Sequence, residues 1–96
     1  MIFVRDIQRE VAAHYSLPVG IMTGQTRIRD HAWPRQEAMA LAARLTEQSL
    51  VNIGRLFGNR DHTTVIHAIR RVGKRDDDAT RLMMRKVTLQ LLRDGQ

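Results

Sequence analysis

The run GNRDHTTVIHAIRRV, residues 58–72, decides the fold. It opens on a glycine, crosses a charged turn and two adjacent threonines, and enters an apolar stretch that ends in paired arginines. Val65, Ala68, Ile69 and Val72 recur at steps of three and four, the spacing of one buried helical face. Asp61 or Thr63 can cap the first turn of that helix, and Gly73 stands where it is expected to stop. Just upstream, Ser49 is placed to cap a short helix whose Leu50, Ile53, Leu56 and Phe57 point inward, with Gly58 free to turn left-handed after it. Helices over 49–57 and 61–72, joined by Gly-Asn-Arg, match a helix-turn-helix, whose second helix sets its first residues against base edges in the DNA major groove.

Outward from that pair the chain reads as helix throughout. Val4, Ile7, Val11 and Tyr15 form one stripe, which Leu17 and Pro18 should end. Residues 19–22 are expected to make at most one helical turn, followed by a polar loop. Pro34 suits the first position of a helix over about 33–46, with Ala38, Leu41, Ala42 and Leu45 on its inner face. Asp76, Asp77 and Asp78 sit where the positive end of a last helix dipole falls, ahead of Leu82, Met83, Val87 and Leu91. No segment alternates long enough to make a strand, and neither a repeat nor a low-complexity linker interrupts the chain.

Composition narrows the partner. The 96 residues suit one domain, residues 1–96, and carry a net charge of +6 with no cysteine. A thiolate metal site and disulfides are therefore excluded. Between Arg27 and Arg75 there are ten basic residues against four acids, whereas the flanks balance at six of each sign. The excess lies around the helix pair, which favours a polyanion over ordinary solubility charge. Neither a long apolar span nor a signal-peptide core occurs, so a soluble, cytoplasmic protein is expected.

The leading edge of the second helix has the chemistry for base reading. A carboxylate such as Asp61 accepts from cytosine N4; His62 can donate to an acceptor or pack on a thymine methyl; Thr63 and Thr64 offer both hydroxyl and methyl. Arg70, Arg71, Lys74 and Arg75 suit phosphates. Catalysis is not expected, because no serine, cysteine or second carboxylate is spaced to work with Asp61 and His62. His62 and His67 lie about 140° apart around a helix and do not share a metal as an i, i+4 pair does. His67 is expected beside the core as a structural histidine, Trp33 as a packing staple, and Met83 and Met84 as core filling.

The strings IGRLFGNRDHTTVIHAIRRV and RIRDHAWPRQEAMALAARLT closely resemble the C-terminal DNA-binding domain of the bacterial replication initiator DnaA, in register from about Ile7 to the last helix. The resemblance implies an all-α, multi-helix domain of Trp-repressor-like type that contains the helix-turn-helix. It implies double-stranded DNA as partner, at the family's nine-base-pair DnaA box, bound by a monomer in the nucleoid without cofactor or metal. Carried over by position, Asp61, His62 and Thr63 face bases and Arg27 enters the minor groove. Arg35, Gln36, Thr64 and the backbone at Leu50 and Val51 hold phosphates, an orienting role without sequence information.

The chain departs from the family in its basic loop, GQTRIRDH, which is poorer in cations and adds Asp30, and in Ala43, where relatives often carry a basic or polar residue. Each lost phosphate contact removes about 0.9 from the salt slope, so weaker box binding than in a full initiator is expected. No GxxxxGK[ST] phosphate loop occurs, so the chain itself is not expected to hydrolyse ATP. The expected role is action in, or regulation of, replication initiation, by competing for boxes or as a small transcription regulator. The alternative is a protein-interaction module that contacts the initiator or its regulators.

Overall fold

The apolar spacing becomes five α-helices in the computed structural model, which describes residues 1–25, 29–75 and 77–94, with only the backbone of Arg29. They are α1 (Val4–His14), α2 (Arg29–Leu45), α3 (Leu50–Leu56), α4 (His62–Arg75) and α5 (Asp78–Asp94), with a 3₁₀ turn at Val19–Met22. No strand occurs among the described residues. α2 is the central element: it packs against α1, α3, α4 and the 3₁₀ turn, while α5 lies on α1. Ile7, Val11, Met22, Leu41, Ile53, Phe57, Val65 and Met83 are buried where these helices meet.

Local chemistry sets the helix ends. After α1 the chain turns through Ser16 at φ 55°, and the Ser16 and Leu17 N–H groups return to the carbonyls of Ala13 and Ala12 at 3.0 and 2.9 Å. This bonding satisfies two orphaned carbonyls, with Leu17 packing onto the core. Ser49 caps α3 by accepting from the Asn52 N–H at 3.1 Å. Asp77 caps α5 through the Thr80 N–H at 2.8 Å; these bonds, then Arg75, hold its carboxyl down at about 2.

Two ends differ from the sequence expectation. α2 starts at Arg29, so Pro34 lies inside the helix rather than at its first position. Its missing N–H would have reached the Asp30 carbonyl, near the start of the helix where few donors have helical acceptors, and the ring is buried. α4 runs through Gly73 to Arg75. Gly73 does not take the left-handed conformation, and Arg75 is held beyond it, its guanidinium 4.4 Å from the Trp33 ring centroid and its Nε 2.9 Å from Asp77. Leu56, expected inward, is exposed, and so is Leu82. Met83 and Met84 do fill the core.

Between α1 and α2, Glu37 is fully buried and accepts a hydrogen bond from the Tyr15 hydroxyl. Burial raises the pKa of Glu37, and burial followed by the bond to Glu37 raises that of Tyr15. The pair joins the end of α1 to the middle of α2.

The turn between α3 and α4 depends on close backbone approach. The Arg60 N–H donates to the Gly54 carbonyl at 2.8 Å, and a Cβ on Gly54 would overlap the Arg60 carbonyl. Gly58 has φ 83°, and a Cβ there would overlap the Thr23 carbonyl. Gly73, by contrast, has open space where a Cβ would stand. In thermal melts, Gly54→Ala is expected to cost more than about 2 kcal/mol, lowering the midpoint by roughly 10 °C or more. Gly73→Ala, in an open helix interior, is expected to stabilise by about 0.5–1 kcal/mol.

Candidate nucleic-acid interface

The turn aims the start of α4 at solvent. Gly58 and Asn59, at φ 83° and 57°, reverse the chain after α3, and the Asn59 N–H closes the turn on the Arg55 carbonyl at 3.1 Å. Asp61 then caps α4: Oδ1 accepts from the Thr63 N–H at 3.0 Å, and the Asp61 carbonyl accepts from the Thr64 N–H at 3.0 Å. His62 Nδ1 lies 2.9 Å from the same Oδ1. The hydrogen bonds from Thr63, above all, hold the Asp61 carboxyl below its ordinary range. With Nδ1–H committed to Asp61, the other ring nitrogen, Nε2, accepts when His62 is neutral and donates when it is protonated.

Asp61, His62, Thr63 and Thr64 are all exposed. Behind this tip the helix buries Val65, Ala68 and Val72 along one side. The outward row therefore runs Thr63, His67, Arg70, Lys74, each exposed and spaced by four, three and four. His67 is thus not the core-side histidine that the sequence suggests: it sits about 200° around the helix from Val65 and continues the face that begins at Thr63. The signal is in the sequence, because His67 is i+4 from Thr63 and out of phase with the buried stripe.

The phosphate candidates are placed unequally. Val51 is exposed and Leu50 half-buried in the first turn of α3, where backbone N–H groups lack helical acceptors. Val51, Arg55, Arg60, Asp61 and His62 line one open groove between α3 and the turn. Gln36 lines a second cleft with Trp33, Arg71, Lys74 and Arg75. Its Oε1 is buried without a partner among the described residues. Trp33 packs against the core beneath Arg75, as a staple does. Ala43 is half-buried beside the core. Arg27 lies outside the described residues.

Arg35 faces inward. It is only 7% exposed, and its Nη1 donates to the carbonyls of Ile21 at 2.9 Å and Gly24 at 3.3 Å. Arg60 does the same from the turn, donating from Nη2 to the Gly24 carbonyl at 2.6 Å and from Nη1 to the Phe57 carbonyl. Burial lowers the pKa of both guanidiniums, and the charge of Arg60 lowers that of Arg35 further. Two cations in the basic middle of the chain thus direct hydrogen-bonding capacity to protein carbonyls. Nothing in residue order distinguishes them from cations that face solvent.

The family model for the bacterial dnaA protein helix-turn-helix matches residues 4–72, from the start of α1 into α4. The chromosomal replication initiator protein DnaA of Roseobacter denitrificans is 49% identical over 71 residues, covering 74% of this chain and 16% of the relative. That of Cereibacter sphaeroides is 51% identical over 69 residues, covering 72% and 15%. That of Zymomonas mobilis is 49% identical over 89 residues, covering 86% and 18%. The chain therefore spans about one sixth of the length of these curated relatives.

The double duty of Asp61 as cap and as outward acceptor can be separated. Asn is as good an N-cap as Asp, whereas Ala offers no acceptor. Asp61→Asn is expected to keep the thermal midpoint at neutral pH, and Asp61→Ala to lower it. Because the folded-state pKa of Asp61 is depressed, its stabilisation is present above the ordinary carboxylate pKa and fades as pH falls through the folded value. Melts across the acid range should show a shallower loss of stability in Asp61→Asn than in the unsubstituted chain.

Proposed function

The chain belongs to the DnaA helix-turn-helix family, and from that premise we propose that it binds double-stranded DNA at DnaA-box-like sites, in or regulating the initiation of chromosomal replication. The observation that carries this reading is the exposed, capped start of α4, where Asp61, His62 and Thr63 face solvent at the tip of the helix, ahead of the buried stripe. With α4 in the major groove, their acceptors, ring nitrogen, hydroxyl and methyl meet the donors, acceptors and thymine methyls that distinguish base pairs there. Thr64, Gln36 and the backbone at Leu50 and Val51 take phosphates, and Arg27 reads the minor groove. Arg70 and Lys74, on the outward row, and Arg71, in the cleft with Gln36, supply further phosphate contacts. Arg35, turned onto carbonyls, contributes more to the shape of the interface than to its charge.

Binding is by a monomer, weaker than by a full initiator domain at the same salt. Fewer cations remain free for phosphate than the composition suggests, and each contact not made removes about 0.9 from the dependence of log K on log salt. Such a chain acts in the nucleoid by occupying boxes in competition with the initiator.

Fluorescence anisotropy tests this with a labelled DnaA-box duplex and a scrambled duplex, each at two salt concentrations. The box is expected to bind about a hundredfold more tightly, equivalent to about 2.7 kcal/mol, and His62→Ala or Thr63→Ala to erase that preference. Equal binding of both duplexes with one steep salt slope would reduce the basic surface to an electrostatic footprint. The chain would then be read as a protein-interaction module directed at the initiator or its regulators.

A further inference from the structure

α5 carries apolar side chains on two sides. Met83, Met84, Val87 and Leu91 are buried against the rest of the protein, whereas Leu82, Leu89 and Leu92 are exposed at 53%, 45% and 52%. All three exposed leucines lie about 140–160° around the helix from buried Val87. A surface helix ordinarily has one apolar stripe and a polar back, and a helix that is apolar on both sides is ordinarily covered on both. Among the described residues, nothing covers the second side of α5.

Leu89 also lines a groove between α5 and α2. Buried Met84 lies within it, Leu45 adds apolar surface from α2, and Arg44, Arg81 and Arg85, all exposed, surround it. No carboxylate lines the groove. Arg44 and Arg85 form no ion pair among the described residues, in contrast to Arg9 with Asp6 and Arg75 with Asp77. Arg44 Nη1 lies 3.9 Å from Met84 Sδ, so its guanidinium reaches from α2 to α5 and keeps the rest of its donor fork for an entering group.

We propose that this groove and the adjoining leucine face of α5 dock an acidic amphipathic helix of a partner protein. Leucines of the partner at helical spacing cover Leu82, Leu89 and Leu92, and its carboxylates meet the guanidinium forks of Arg44, Arg81 and Arg85. A second copy of this chain fits less well, because a two-fold interface sets one patch against itself and would bring these arginines and Lys86 against their own counterparts. A phosphate backbone would pair with the arginines but leave the leucines uncovered. The groove shares no residue with the start of α4 or with the two clefts beside it, so a partner seated here competes with DNA for no side chain.

The probe is a labelled helical peptide of about 18 residues, with leucines at i, i+3 and i+7 and glutamates beside them. Two controls accompany it: the same composition with the leucine spacing scrambled, and the same stripe with lysine in place of glutamate. Anisotropy titrations use the full chain, Arg85→Glu, Leu89→Glu and Arg5→Glu. Arg85 and Leu89 are exposed, so their variants are expected to keep the fold, and exposed Arg5 on α1 carries the same charge change away from the groove. The glutamate peptide is expected to bind the unsubstituted chain with a Kd on the order of 10 μM, and both control peptides at least about tenfold more weakly. Arg85→Glu and Leu89→Glu should each weaken the glutamate peptide by about tenfold, and Arg5→Glu by less than about twofold.

Equal binding of the scrambled peptide, or equal weakening by Arg5→Glu and Arg85→Glu, would overturn the docking site by reducing it to net charge. Binding that neither groove variant weakens would place the peptide elsewhere. Sedimentation showing a dimer of the unsubstituted chain that Leu89→Glu dissociates would assign the face to a second copy. Absence of peptide binding, with Leu89→Glu abolishing attachment to phosphatidylglycerol vesicles, would assign it to a lipid surface.

Discussion

The close passage of the turn across Gly54 is the constraint on which the rest of the molecule depends. The Arg60 N–H reaches the Gly54 carbonyl at 2.8 Å only because α3 presents no side chain there. That contact fixes the angle at which α4 leaves α3. Phe57 and Ile53 on one side and Val65 and Ala68 on the other are then buried together, and α2 closes over them. Since Val65, Ala68 and Val72 must face inward, Thr63, His67, Arg70 and Lys74 must face outward. The exposed row is a geometric consequence of the buried one.

Charge is divided among several tasks. The +6 of the chain lies between residues 27 and 75, but its cations differ in what they touch. Arg35 and Arg60 tie the backbone of residues 21–24 to α2 and to the turn. Arg75 covers Trp33 and meets Asp77 at the start of α5. Arg70, Arg71 and Lys74 are exposed on α4. A net charge predicts attraction to a polyanion, and the individual hydrogen bonds decide how much of it a phosphate backbone can use.

Much of this is legible in the sequence where one residue type satisfies one local requirement. The stripes of α1 and α4, the Ser49 cap, the left-handed Gly58 and the burial of Met83 and Met84 follow from period and turn chemistry. The start of α2 does not, because Pro34 reads as a first residue unless tertiary packing outweighs its lost bond. Gly73 reads as a stop unless Arg75 has partners beyond it. Arg35 and Arg60 are legible as positive charge but not as carbonyl ligands: their shared acceptor on Gly24 lies 11 and 36 residues away in the chain, and backbone carbonyls leave no trace in residue identity. The exposure of Asp61, His62 and Thr63 at the tip of α4 is readable from the cap position. The outward place of His67 is available from the phase of the buried stripe.

A crystal structure of the chain bound to a DnaA-box duplex would put the interface to the test. The expected complex has α4 in the major groove with Asp61, His62 and Thr63 within hydrogen-bonding or methyl-contact distance of base edges, and Arg60 still donating to the Gly24 carbonyl. One in which α4 lies off the groove would contradict the reading of the whole interface.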